Sequence, residues 1–143
     1  MACRHCHVAA GPDRPEVMEK DAIEQVLAVL KRYDIKTLDI IGGAQELKPH
    51  FTYFVTEAKK AGCHIIARSN LIVFFEKGYE HLPEFYGEHD VKITASLPYY
   101  LAGSVDSARG DGTFVKSIEA LQLLNSLGYA DGGVPQAHKK VLL

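Results

Sequence analysis

Cys3-Arg4-His5-Cys6-His7 places two thiols and two imidazoles within five residues. Sulfur and imidazole at that density can hold a transition metal or run thiol redox chemistry. Gly11-Pro12-Asp13-Arg14-Pro15 follows closely, and two prolines with a glycine cannot propagate a helix. A thioredoxin-like CxxC opens a helix directly, so the redox reading is disfavoured. The plainest metal reading is a zinc-binding CxxC with His5 and His7 nearby. A site of so few residues needs a scaffold that brings further groups to it.

The chain has 143 residues, 47% hydrophobic and 24% charged, with a formal net charge of -2. That length makes one domain, residues 1–143, able to bury about two-thirds of its unfolded surface. The charge balance gives no electrostatic footprint for nucleic acid or anionic lipid. No apolar run approaches the ~20 residues of a membrane span, and no apolar export signal follows Met1. Three cysteines, two of them in one CxxC, suit a reducing compartment. The expectation is a cytoplasmic protein whose partner is a small molecule or a metal, with no nucleic acid and no membrane.

Ile23, Val26, Leu27 and Leu30 fall at helical spacing, with Lys31-Arg32 in the last turn; this predicts a helix from about Pro15 to Tyr33. The β-branched run Ile35 to Ile41 ends at Gly42-Gly43 and reads as a short buried strand. A second helix starts near Pro49, carries Phe51, Phe54, Val55 and Ala58 on one face, and stops at Gly62. Cys63 to Ala67 is a second strand, running out into Arg68-Ser69-Asn70. Leu71 to Phe75 is too apolar for an open loop and reads as a short helical or extended piece. Leu82 to His89 offers a short helix with Pro83 at its start, and Val91 to Leu97 a third strand. Ala102 to Gly112 reads as polar loop, after which Thr113 caps a last helix from Phe114 to Leu127. Gly132 to Pro135 is loop, and Val141-Leu142-Leu143 resembles a strand only begun. Strand and helix alternate, which argues for a parallel α/β sheet of right-handed βαβ units. The first helix has no strand before it and the last strand is short, so both ends read as truncated.

In such folds the reactive groups gather at the carboxyl ends of the strands. The residues there are Cys3 to His7, then Gly42-Gly43-Ala44-Gln45-Glu46, then Arg68-Ser69-Asn70, then Ser96 with Tyr99-Tyr100. Every one of these ends is polar, glycine-bearing or metal-capable. Cys63, in an apolar strand, reads as a buried packing residue.

Cys3-Arg4-His5-Cys6 resembles the end of the CxxxCxxC motif of the radical S-adenosylmethionine (SAM) superfamily, and Gly42-Gly43-Ala44 falls where that superfamily has its GGE-type motif. More narrowly, CRHCHVAAGPDRPEVM, TLDIIGGAQELKPHF, RSNLIV, SLPYYL and RGDGTFVKSIEALQLLNSLGY look like the amino-terminal half of the arsenosugar-biosynthesis radical SAM group. The resemblance implies a partial (β/α)6 TIM-barrel-like fold, truncated at both ends. It implies a [4Fe-4S] cluster on three thiolates, whose fourth iron stays open to SAM. It further implies reductive cleavage to a 5′-deoxyadenosyl radical, a flavodoxin- or ferredoxin-like electron donor, and adenosyl transfer to a dimethylated arsenical as the specific reaction.

Carried over residue by residue, Cys3 and Cys6 match the second and third cluster ligands. Gly42, Gly43 and Ala44 match the turn that receives the SAM amino group. Asn70 and Ser96 match strand-end contacts to SAM, and Arg109 matches a position suited to carboxylate pairing. Two departures stand out: the first cysteine of the motif would fall upstream of Met1, and Ala44-Gln45 replaces the commoner Glu-Pro. The competing readings are a non-enzymatic zinc-binding α/β module and an inactive fragment with exposed strand edges.

Overall fold

Ile23, Leu27 and Leu30 form the buried stripe of helix α1, Lys20–Arg32. This is a computed structural model that describes Cys6, Gly11, residues 14–129 and the backbone of residues 141–142. Strand β1, Thr37–Ile40, leads into a short 3-10 turn at Gln45–Leu47 and then helix α2, Phe51–Lys60. Phe51, Phe54, Val55 and Ala58 are its buried face. Gly62, at φ 85°, ends α2 with its N–H on the Lys59 carbonyl, a left-handed stop that glycine adopts without strain. Strand β2, His64–Ser69, is followed by a 3-10 turn at Ile72–Phe75 and helix α3, Leu82–Glu88. Strand β3, Lys92–Ala95, precedes helices α4, Ala102–Arg109, and α5, Thr113–Ser126; Val141–Leu142 forms β4.

The four strands lie in the order β1-β2-β3-β4, every pair parallel. In register, Thr37 faces His64, Ile66 faces Lys92 and Ile93 faces Val141. Sequential order with right-handed crossovers puts the connecting helices on one face of the sheet. Burial follows that geometry. Ile40, Ile65, Ala67, Ile93 and Ala95 are buried in a single core with Leu27, Val55, Phe74, Tyr86 and Leu124. The alternate residues Thr37, Asp39, His64 and Arg68 are exposed, and Ile66, Lys92 and Thr94 half-buried. Parallel sheets are ordinarily covered on both faces; among the described residues this one is covered on one. No barrel closes among them. No helix among the described residues is long and apolar enough to cross a membrane.

Four expectations are corrected. The first helix begins at Lys20, not Pro15, because the Glu16 carbonyl accepts from Lys48 Nζ at 3.0 Å and its carboxylate from Arg14 Nε at 2.7 Å, which holds that stretch extended. Residues 102–109 are helix rather than polar loop: wholly buried Val105 anchors them. The polar pattern has another role, since the Asp106 carboxylate accepts from the Gly112 and Phe114 N–H groups at 3.1 and 2.8 Å. Asp106 therefore caps α5, and Thr113 lies inside the helix with Gly112, at φ 75°, as the residue before it. Strand β3 also ends at Ala95, two residues before Leu97.

Candidate functional site

The polar groups of interest meet where the parallel strands end. After β1 the chain exposes Ile41, Gly42 and Gly43, then turns inward at Gln45 and Glu46, which are 8% and 3% exposed. Gln45 Nε2 donates to the Arg68 carbonyl at the end of β2, at 2.7 Å. Ser96 N–H, past β3, donates to the Ser69 carbonyl at 2.9 Å, and Arg109 Nη1, from α4, donates to the Ser96 carbonyl at 2.6 Å. One hydrogen-bonded chain thus joins Gln45, Arg68-Ser69, Ser96 and Arg109 across three strand ends. It brings the Gly42-Gly43-Ala44 turn to the same edge of the sheet as Asn70, Ser96 and Arg109.

That edge departs from the rule that buried polar atoms find partners. Gln45 Oε1, Glu46 Oε2 and Arg109 Nε are sealed from solvent and make no hydrogen bond among the described residues. Leu71, wholly buried, sits at φ 66°, a left-handed conformation that strains a residue with a large side chain. Its N–H is held by the Ser69 hydroxyl at 3.1 Å, while Asn70 Oδ1 accepts from Val73 N–H at 3.1 Å. Asn70 therefore has its NH2 group to offer a ligand.

Glu46 is a buried acid altered by its surroundings. Burial pushes its carboxyl above the usual range, opposed by the Ser69 hydroxyl, its own backbone N–H and the Tyr86 hydroxyl. Tyr86 donates to Glu46 Oε1 at 3.1 Å, and burial followed by that carboxylate drives the phenol well above its ordinary value. On the open face, Arg68 holds Asp39 through Nε and Nη2, the closest contact being 2.8 Å, which lowers the Asp39 carboxyl. Tyr99 and Tyr100 are exposed beyond β3, with ring centroids 4.5 Å apart. A cavity of about 230 Å³ adjoins the glycine turn between Ile23, Ile40, Phe51 and Phe54, smaller than the ordinary ligand pocket.

Of the sequence's thiols, Cys3 lies outside the described residues, as do His5 and His7. Cys6 is half-buried. The described residues contain no group of three or more His, Cys, Asp or Glu able to hold a metal. Cys63 is buried, and its thiol donates to the Ile35 carbonyl at 3.1 Å at the amino end of β2. A six-residue strand separates it from the carboxyl-end site by roughly 20 Å. Cys63 is a packing residue, as its apolar neighbours imply, and lies at the opposite end of β2 from the strand-end groups. Sequence reasoning gave no role to Glu46, Tyr86 or the Gln45 amide; the one signal was a Gln-Glu pair inside a glycine turn otherwise bounded by apolar residues.

Fold and site together define a parallel α/β protein whose chemistry-bearing groups converge on the carboxyl ends of its strands. No family model matches the chain. It is similar to mycofactocin maturase MftC of Mycobacterium ulcerans (strain Agy99), 25% identical over 138 residues that make up 94% of this chain and 36% of that protein. The chain thus spans about a third of the length of the curated relative it matches. That relative is a radical SAM enzyme, and the similarity supports the radical SAM superfamily.

Proposed function

We propose that this chain is the SAM-binding portion of a radical SAM enzyme. Cys3 and Cys6 are two thiolate ligands of a [4Fe-4S] cluster, and Gly42, Gly43, Ala44, Asn70, Ser96 and Arg109 are the groups that receive SAM. The observation that carries this reading is the hydrogen-bonded chain from Gln45 to Arg109, which gathers these positions at one edge of the sheet.

The chemistry of the donor set fits an amino acid moiety. An ammonium needs acceptors and a carboxylate needs donors. The exposed main chain at Gly42-Gly43 supplies the first, and the Arg109 guanidinium, one of whose N–H groups is engaged by Ser96, supplies the second. Gly42 has no positive φ, and a Cβ there would meet nothing within 4 Å. The fold itself does not require glycine at that position, and its bare backbone is open to close approach by a ligand. For the cluster, the fit is in donor type: Cys3 and Cys6 are soft thiolates, while Cys63 is buried at the amino end of β2, away from the strand-end groups assigned to SAM.

When bound, the reduced cluster would supply one electron for cleavage of the sulfonium to methionine and a 5′-deoxyadenosyl radical. The task of this chain's residues is to bind and orient. Arg109, fixed by Ser96, sets the carboxylate end; the glycine turn sets the amino end; Asn70 donates from between them. The substrate class we propose, from the sequence resemblance, is a dimethylated arsenical accepting the adenosyl group, with a flavodoxin- or ferredoxin-like donor in a cytoplasmic setting.

Anaerobic reconstitution with iron and sulfide tests this reading. The expected result is a brown chromophore with acid-labile sulfide, and 5′-deoxyadenosine on adding SAM and a reductant. Colourless protein with stoichiometric zinc on its Cys/His segment would replace the reading with a zinc-binding module. Formation of 5′-deoxyadenosine indifferent to arsenicals would remove only the arsenical substrate.

A further inference from the structure

Glu46 is used by nothing in the scheme above, yet the fold has built an enclosure for it. Glu46 is 3% exposed, Oε1 accepts from the Tyr86 hydroxyl, and Oε2 is sealed with no hydrogen-bond partner among the described residues. Tyr86 is itself wholly buried on α3, and its ring meets Phe51 of α2 and Phe74 of the turn after β2 edge-on, each at 6.0 Å between centroids. The groups acting on the carboxyl are the Ser69 hydroxyl from β2, its own backbone N–H and Tyr86 from α3; no cation among the described residues does so. Tyr86 is thus the titratable group that faces it, and Phe51 and Phe74 pack edge-on against the Tyr86 ring.

A carboxylate buried this deeply, with only uncharged donors beside it and no counter-charge among the described residues, is strongly disfavoured. A neutral carboxyl of the same shape is not. The difference falls on the 3-10 turn that carries Glu46, whose Leu47 and Lys48 N–H groups close on the Ala44 and Gln45 carbonyls at 3.1 and 3.0 Å. Ala44 is the last residue of the glycine turn.

We propose that Glu46 is a positioning residue: pinned to Tyr86, its carboxyl fixes the Gly42–Ala44 turn for the ligand, and a charge placed on it releases that turn. The inference rests on the SAM-binding reading for its functional part and on the enclosure alone for its structural part. It makes ligand affinity depend on a proton held inside the protein, remote from the ligand's own titrating groups.

The test begins without ligand, by amide hydrogen-exchange protection factors on the whole chain across a pH series for wild type, Glu46→Gln and Tyr86→Phe. In wild type, protection at Leu47 and Lys48 falls with rising pH by up to about tenfold per unit, the slope that loss of one proton imposes. Glu46→Gln shows no such slope, and the amides of β2 and β3 keep their protection in both. Tyr86→Phe lowers protection of the turn at every pH and keeps the slope, so the inference stays open to refutation if the glutamine variant fails to fold. A flat wild-type profile, or one in which every strand loosens together, overturns it.

The second arm measures SAM dissociation constants for the reconstituted protein at the same pH values, taken as the ratio of wild type to Glu46→Gln. The ratio rises with pH in step with the loss of protection if Glu46 positions the turn. A ratio that falls with pH makes Glu46 a counter-ion for the ligand and overturns the positioning role, as does a ratio that stays constant while protection changes. Absence of SAM binding at any pH, with the protection slope intact, removes the SAM reading and leaves the enclosure established.

Discussion

The two ends of β2 are built to different standards. At the amino end the Cys63 N–H reaches the Ala58 carbonyl at 3.1 Å, the Cys63 thiol reaches the Ile35 carbonyl, and His64 N–H reaches the Lys36 carbonyl at 2.8 Å. At the carboxyl end three sealed polar atoms lack partners among the described residues and Leu71 is strained. An unmade buried hydrogen bond costs about 1–3 kcal/mol, and strained backbone about as much. One end therefore holds the fold together and the other retains local conflicts that the rest of the core must offset. Such conflicts gather where a molecule has a task beyond folding.

Experiments can break or sharpen that contrast. The largest expected effect is on iron: Cys3→Ala or Cys6→Ala should abolish cluster incorporation, measured as iron and sulfide per chain, while Cys63→Ala should leave it intact and lower stability by about 1–2 kcal/mol. Iron loss in the Cys63 variant would erase the distinction between the ends. Next, Phe74→Ala removes a wholly enclosed ring beside Tyr86 and should cost about 3–5 kcal/mol in urea unfolding. Asp106→Ala should cost about 0.5–2 kcal/mol by uncapping α5, read as lost helical ellipticity and a lower urea midpoint.

The pH response differs in sign between two carboxylates. Glu46, its folded pKa raised by burial, contributes fully below the ordinary glutamate value, and that contribution fades as pH rises through the folded value. Glu46→Gln should abolish this alkaline loss in urea titrations. Asp39, its folded pKa lowered by Arg68, contributes above the ordinary aspartate value and loses that contribution as pH falls through the folded value. The pair is exposed on the open face, so Asp39→Asn should shift stability by less than about 1 kcal/mol, the smallest effect of the series.

Much of the scaffold was legible because it is periodic. The stripe through Ile23, Leu27 and Leu30, the Phe51-Phe54-Val55-Ala58 face and the Gly62 stop are written in local spacing, and alternation of strand and helix implied the parallel sheet. Helix α4 was not legible, since Ala102 to Arg109 offers only Val105 to the core, and its aspartate serves a different helix. The strand-end rule found the edge where Gly42, Asn70 and Ser96 gather; Arg109 came from the family resemblance. It could not find Glu46 as a buried acid, because what buries it is Tyr86, forty residues away along the chain. A glutamate in a turn looks solvated until the ring that covers it is known.

The Asp106 cap has a mechanical side. By gripping the Phe114 N–H eight residues ahead, that carboxylate buckles the chain into a small ring, and Arg109 rides on it. The guanidinium therefore cannot swing as a loose tether would. The backbone that carries it is tied by this ring to the start of the fourteen-residue helix α5.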